Sequence, residues 1–90
     1  MLTKEQKDKI IKKFRTHDSD TGSPQVQIAI LTAEIRDLTT HLKAHKKDFS
    51  SRRGLVRKVV ERRRLMLYLA REDKKAHDSL VEELKLRVTK

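Results

Sequence analysis

Ile28, Leu31, Ile35, Leu38 and Leu42 recur at spacings of three, four, three and four residues, the apolar seam of a helix packed along one side against another helix. A strand cannot use such a pattern, because its side chains alternate between two faces. The seam therefore fixes a helix from Pro24 to about residue 44, with Ser23 placed as its N-cap and Pro24 at the first helical position, where a missing N–H goes unnoticed. HDSDTGSPQVQ, residues 17–27, carries the only proline and one of two glycines and reads as the loop that feeds this helix.

The other helices follow from their punctuation. Thr3 with Gln6 three residues later makes a capping box, and Ile10, Ile11 and Phe14 give a short stripe on a first helix that ends near Arg15 and docks loosely, its lysines outward. After a loop from Lys46 to Phe49, Ser50 or Ser51 is placed to cap a third helix. It runs to about Glu72, with Leu55, Val56, Val59, Val60, Met66, Leu67 and Ala70 along one side. Asp73 caps a fourth, whose buried row is Ala76, Leu80, Val81 and Leu84, and the tail from Arg87 onward frays. Two long helices joined by a short loop lie antiparallel. The expected fold is all-α, with four helices: a hairpin of helices two and three about 30 Å long, and shorter first and fourth helices packed on it.

A chain of 90 residues makes one thin-cored domain that hides only about 60% of its unfolded surface, so function is expected on the outside. That outside is basic: the formal net charge is +10, which points first to a polyanion. The charge is also concentrated, since residues 43–64 hold ten lysines and arginines against Asp48 and Glu61. The absence of cysteine excludes disulfide and thiolate chemistry and suits a reducing, cytoplasmic compartment. No targeting segment is visible, and no apolar run approaches the roughly 20 residues of a membrane span. A basic helix can also lie on anionic lipid, but such helices carry large aromatics where this chain is aliphatic.

At 100° per residue, Arg53, Arg57, Arg64, Tyr68 and Arg71 gather in one narrow sector of the third helix, well away from its apolar side. A tyrosine ring among four arginines suits base stacking beside phosphate contacts; the plainer role is a ring laid over an interhelical groove. Arg63 falls within the apolar side, so either its stem passes the core or the stripe is narrower than drawn. Along helix two, Gln27, Glu34 and His41 recur every seven residues, giving one stiff rod two contact points about 21 Å apart, or simply a polar flank.

The stretch HLKAHKKDFSSRRG, residues 41–54, mixes several chemistries. His41 and His45 at i, i+4 with Asp48 have zinc-ligand types, but Lys43, Lys46 and Lys47 would crowd a dication and no supporting carboxylate is near, so solvated histidines are the simpler reading. A carboxylate such as Asp48 is repelled by phosphates. Within a nucleic-acid patch it is therefore expected to face hydrogen-bond donors, of which guanine amino groups and ribose 2′-hydroxyls in the wide minor groove of A-form RNA are examples; it can also cap helix three. Thr21, Gly22 and Ser23 offer a generic anion cradle at a helix start, although many helices begin so merely for capping. Lys58, outside these groupings, counts as a generic charge whose loss should cost little binding. No activated nucleophile, Gly-Lys phosphate loop or enclosed carboxylate pair is present, so enzyme function is set aside.

These residues carry a resemblance. DTGSPQVQIAILTAEI, LTTHLKAHKKD, SSRRGLVRKVVERRRLMLYL and LVEELKLR occur in order and at family spacing, and the chain resembles, nearly end to end, the bacterial small-subunit ribosomal protein number fifteen family. The resemblance implies a structural constituent of the small ribosomal subunit: a single helical domain, residues 1–90, without cofactor or bound metal and monomeric when free. It implies binding of small-subunit rRNA at a three-way helical junction, ordering of the central domain among neighbouring small-subunit proteins, and contact with large-subunit rRNA at an intersubunit bridge. By position, Thr21, Gly22, Gln27, Arg64, Tyr68 and Arg71 grip the junction, and His41, His45, Asp48 and Ser51 read the minor groove. Lys46, Lys47, Arg53 and Arg57 add phosphate contacts. The chain departs from the family pattern at DFSS, where more histidines are common, at Lys74 for proline, His77 for an aromatic and Lys85 for glycine.

Two rivals stay open at this stage. A nucleoid-type DNA binder shares the steep salt dependence but would displace a junction RNA with duplex DNA, and an adaptor for an acidic protein would keep its complexes after nuclease treatment.

Overall fold

The computed structural model describes residues 2–15 and 22–86. Four helices run in chain order, α1 (Lys4–Phe14), α2 (Pro24–Ala44), α3 (Phe49–Glu72) and α4 (Lys74–Leu84), and no strand occurs among the described residues. Thr21 and the tail from Arg87 lie outside them.

Each start is held as its cap chemistry requires. Thr3 Oγ1 accepts the Gln6 N–H at 3.1 Å while Gln6 Oε1 accepts the Thr3 N–H at 2.9 Å, completing the capping box. Ser23 Oγ accepts the Val26 N–H at 3.4 Å, with Pro24 opening α2. Asp73 serves two helices, its N–H donating to the Leu69 carbonyl that ends α3 and its Oδ1 accepting the Ala76 N–H of α4. Of the candidate caps for α3, the one used is Asp48 and not Ser50 or Ser51, and Ser51 is instead the residue whose N–H is capped. A carboxylate is the stronger acceptor, and α3 accordingly starts at Phe49, inside the expected loop.

α4 closes in the left-handed region at Lys85, φ 54° and ψ 45°. The Lys85 N–H donates to Glu82 and the Leu86 N–H to Val81 at 2.9 Å, and Leu86 folds back onto the core. This is a Schellman closure with lysine where glycine fits best, because the lysine Cβ crowds a carbonyl at positive φ. Lys85→Gly is therefore expected to stabilise the protein by about 1 kcal/mol, read as a higher urea midpoint at unchanged slope.

The core forms where all four helices meet. Ile28 and Ala29 of α2, Met66 and Leu69 of α3, and Leu80 and Leu84 of α4 are buried together, with Ile10 and Phe14 of α1 packed against them. α1 buries no residue fully, in line with loose docking, and Lys13 ties it to Glu83 at 3.2 Å. His77 is also buried, its Nδ1 3.0 Å from Asp78 while its Nε2 has no hydrogen-bond partner among the described residues. Toward the α2–α3 turn the seam thins: Ile28 and Leu31 are buried, whereas Ile35, Leu38 and Leu42 are only half-buried. The cause is geometric, since α1 and α4 cover only the opposite end of the hairpin and leave this one as a bare pair of rods.

Only part of the apolar side expected for α3 packs: Met66 is buried and Leu55 and Ala70 are half-buried. Val56, Val59, Val60 and Leu67 are exposed, and the helix turns Leu65, Leu69 and Met66 inward together with Lys58 and Arg62. Lys58 Nζ bonds Glu34 Oε2 at 3.1 Å across the hairpin, so it is a seam residue and not a generic charge. Arg62 Nη1 reaches Thr32 Oγ1 at 3.3 Å. Burial, then the neighbouring Arg36 charge, lowers the Arg62 pKa, although a guanidinium stays charged at neutral pH. Arg63 is exposed, which answers its ambiguity: the stripe is narrower and is rotated.

Candidate nucleic-acid interface

The α2–α3 turn builds one cluster, its loop fastened by two hydrogen bonds to backbone carbonyls. The Asp48 N–H donates to the His45 carbonyl at 3.1 Å, and Arg52 Nη2 donates to the Lys46 carbonyl at 3.0 Å. These fasten a tight loop that faces Asp48 toward the last turns of α2. There Asp48 Oδ1 accepts the Ser51 N–H at 3.0 Å, and Oδ2 accepts Ser51 Oγ at 2.7 Å and lies 2.8 Å from His41 Nε2. The Ser51 hydroxyl, then its N–H, then the His41 bond hold the Asp48 carboxyl well below the usual carboxylate range. His45 stacks on His41, ring centroids 4.6 Å apart.

Chemically this is an oriented acceptor array. With Nε2–H directed at Asp48, a neutral His41 presents Nδ1 as an acceptor, and Ser51 Oγ, whose O–H donates to Asp48, keeps its lone pairs free. Asp48 thus acts mainly through its neighbours: three of its roughly four acceptor sites are filled within the chain, which modifies the expectation that it meets a ligand's donors by itself. His41 stands between two clefts, one of 480 Å³ reached by His45, Lys46, Lys47 and Asp48, and one of 350 Å³ lined by Thr40 and Ser51 among others. The lysines bring positive charge to the rim of an acceptor-lined floor. Among the described residues no group of three or more metal-type ligands converges.

The second cluster lies at the far end of the hairpin. Register follows from the cross-links: Glu34 pairs with Lys58 and Thr32 with Arg62, so by antiparallel continuation Gln27 lies level with about residue 66 of α3. Gly22, Gln27, Arg64 and Tyr68 therefore share that end. Gln27 Nε2 donates to the Gly22 carbonyl, fixing the entry to α2, and a Cβ at Gly22 would come into ordinary contact with that same Nε2, at 4.0 Å. Tyr68 is 47% exposed, with the Arg71 guanidinium 5.7 Å from its ring centroid. Arg71 thus lies over one face of a ring that is nearly half exposed and not buried in an interhelical groove. Arg53, Arg57 and Arg64 are exposed on the same sector, whereas Glu34, between the two grips, is engaged by Lys58.

The structure thus brings His41, His45, Asp48 and Ser51 together, and separately Gly22, Gln27, Arg64, Tyr68 and Arg71, about 21 Å away along α2. Thr21 lies outside the described residues. Sequence reading passed over Arg36, whose Nη2 donates to the Leu84 carbonyl at 2.8 Å and so pins the end of α4 to α2. Its signal was its place on the flank of the seam, eight residues after Ile28.

Comparison with known proteins bears on the whole chain. A family model described as Ribosomal protein S15 matches residues 7–87. The chain is similar to the small ribosomal subunit protein uS15 of Carboxydothermus hydrogenoformans, 58% identical over 86 residues that cover 96% of this chain and 97% of the relative. It is likewise similar to that of Lysinibacillus sphaericus, 55% identical, and that of Limosilactobacillus reuteri, 52% identical, with the same coverage. No helix among the described residues is long and apolar enough to cross a membrane.

Proposed function

The chain belongs to the ribosomal protein S15 family, and on that premise we propose that it is a structural constituent of the small ribosomal subunit, a non-enzymatic single domain that works on the cytoplasmic ribosome by binding rRNA directly. The arginine-rich end, with Gly22, Gln27, Arg64, Tyr68 and Arg71, grips a three-way helical junction, and Thr21 joins it by position in the family motif. The acceptor array of His41 and Ser51, aligned by Asp48 and flanked by His45, meets guanine amino groups or 2′-hydroxyls in an adjacent minor groove. Lys46, Lys47, Arg53 and Arg57 neutralise phosphates between them. Held at a fixed span, two RNA helices become oriented relative to each other, which is how the protein helps assemble the central domain beside its neighbours. The exposed α2–α3 turn also contributes to the bridge with large-subunit rRNA.

One observation carries this reading: a hydrogen-bonded acceptor cluster and an arginine–tyrosine sector sit at opposite ends of one stiff hairpin. Ribose protection on small-subunit rRNA with and without the protein tests it, and two separated footprints, one at a junction, are the expected result. Uniform protection, or displacement of a junction RNA by duplex DNA at equal nucleotide concentration, would overturn it. Arg64→Ala is expected to weaken binding across RNA sequences and to flatten the dependence of log affinity on log salt by about 1, the signature of one lost phosphate contact. Filter binding over a salt series measures both.

A further inference from the structure

The rotation of α3 leaves an apolar row in water. Phe49, Val56, Val60 and Leu67 are 61%, 58%, 44% and 44% exposed. Their spacings of seven, four and seven residues keep them within about 40° of one line on the helix, and they span about 27 Å, or five turns. α2 and α4 pack on other sides of α3, so among the described residues no element covers this row. Exposed arginines border it on both edges, Arg52 and Arg63 on one and Arg53 and Arg64 on the other.

We propose that this face docks an acidic amphipathic helix of another protein. Leucine, valine and phenylalanine side chains in a heptad-like row offer nothing to a phosphate backbone, but they are the knobs that a second helix receives. The arginine edges then select acidic flanking positions on that helix. A second copy of the chain is a poor occupant, because an antiparallel pair would set arginine edges against each other in a protein of net charge +10. Arg53 and Arg64 also belong to the Arg57–Tyr68–Arg71 sector, so with RNA engaged there the acidic helix pairs with the other edge, Arg52 and Arg63. The inference stands independently of the rRNA-binding reading.

The test uses the full chain and a labelled synthetic helix of about twenty residues, with leucine at the a and d positions and glutamate at e and g. Fluorescence anisotropy is expected to show it binding at least about tenfold more tightly than a scrambled peptide of identical composition. The exposed double substitution V60S/L67S is expected to lower that affinity by about tenfold while leaving the thermal melt and the affinity for a small-subunit rRNA fragment unchanged. Equal binding of the scrambled peptide, or undiminished binding by V60S/L67S, would overturn the proposal by reducing it to charge alone. Sedimentation showing self-association that V60S/L67S abolishes would reassign the face to a second copy. A fall in rRNA affinity in V60S/L67S as large as that of Arg64→Ala would reassign it to nucleic acid.

Discussion

Asp48→Ala is expected to lower junction-RNA affinity by about tenfold, the scale of one lost specific contact, and to lower the melting temperature by about 5 °C through loss of the α3 N-cap. The two losses share one cause. Asp48 accepts the Ser51 N–H, the Ser51 hydroxyl and the His41 ring N–H, so its removal frays the first turn of α3 and frees both side chains to rotate. Asp48→Asn separates the effects, since its amide oxygen still caps α3 while it can no longer accept from both partners at once. Its melt should stay near that of the unaltered protein and its RNA affinity should fall. Unchanged slope in the salt series for both variants would distinguish lost orientation from lost charge neutralisation.

The pH dependence of this cap has a definite sign. The folded Asp48 carboxyl is held below its unfolded value, first by the Ser51 hydroxyl, so its contribution is fully present above the ordinary aspartate range near about 3.9. It is lost only as pH falls below that range, through the depressed folded value. The melting difference between Asp48→Ala and the unaltered protein is therefore expected to stay constant from neutral pH down to about pH 4.5, and to shrink in stronger acid. A difference that closed between pH 7 and 5 would mean that Asp48 is not the group held in this network.

Ile28→Ala is expected to give the largest loss of stability, about 3 kcal/mol, within the range measured for buried isoleucine truncations. Ile28 is 0% exposed and belongs to the cluster with Met66, Leu69, Leu80 and Leu84, where α2, α3 and α4 converge. For a chain this small the loss is a large part of total stability and amounts to a melting shift of about 15 °C. Urea unfolding should show a lower midpoint at unchanged slope. RNA affinity measured well below the midpoint should be preserved, because neither grip contains Ile28.

Much of the architecture is legible in the residues themselves, where the interaction is local. Thr3 with Gln6, Ser23 with Pro24, and Asp73 each specify a helix start within four residues, and each start is found as read. The α2 seam is equally local and appears with its N-terminal half buried. The Arg53–Arg57–Arg64–Tyr68–Arg71 sector also survives, because helical periodicity alone puts those residues on one side. Asp48 as a cap was visible as one of its two roles, but its simultaneous hold on His41, seven residues away across a turn, was not.

What sequence alone determined here is the number, extent and punctuation of the helices, and which residues of each helix share a face. Tertiary structure decided which face of α3 is the inner one. Counting apolar residues favours the side of Val56, Val60 and Leu67, but α2 offers Glu34 and Thr32 along the contact, and these satisfy Lys58 and Arg62 well enough for them to lie in the seam. A charged residue is excluded from an interface only while it lacks a partner, and the partner here stands twenty-four or thirty residues away. No periodicity within a single helix contains that information.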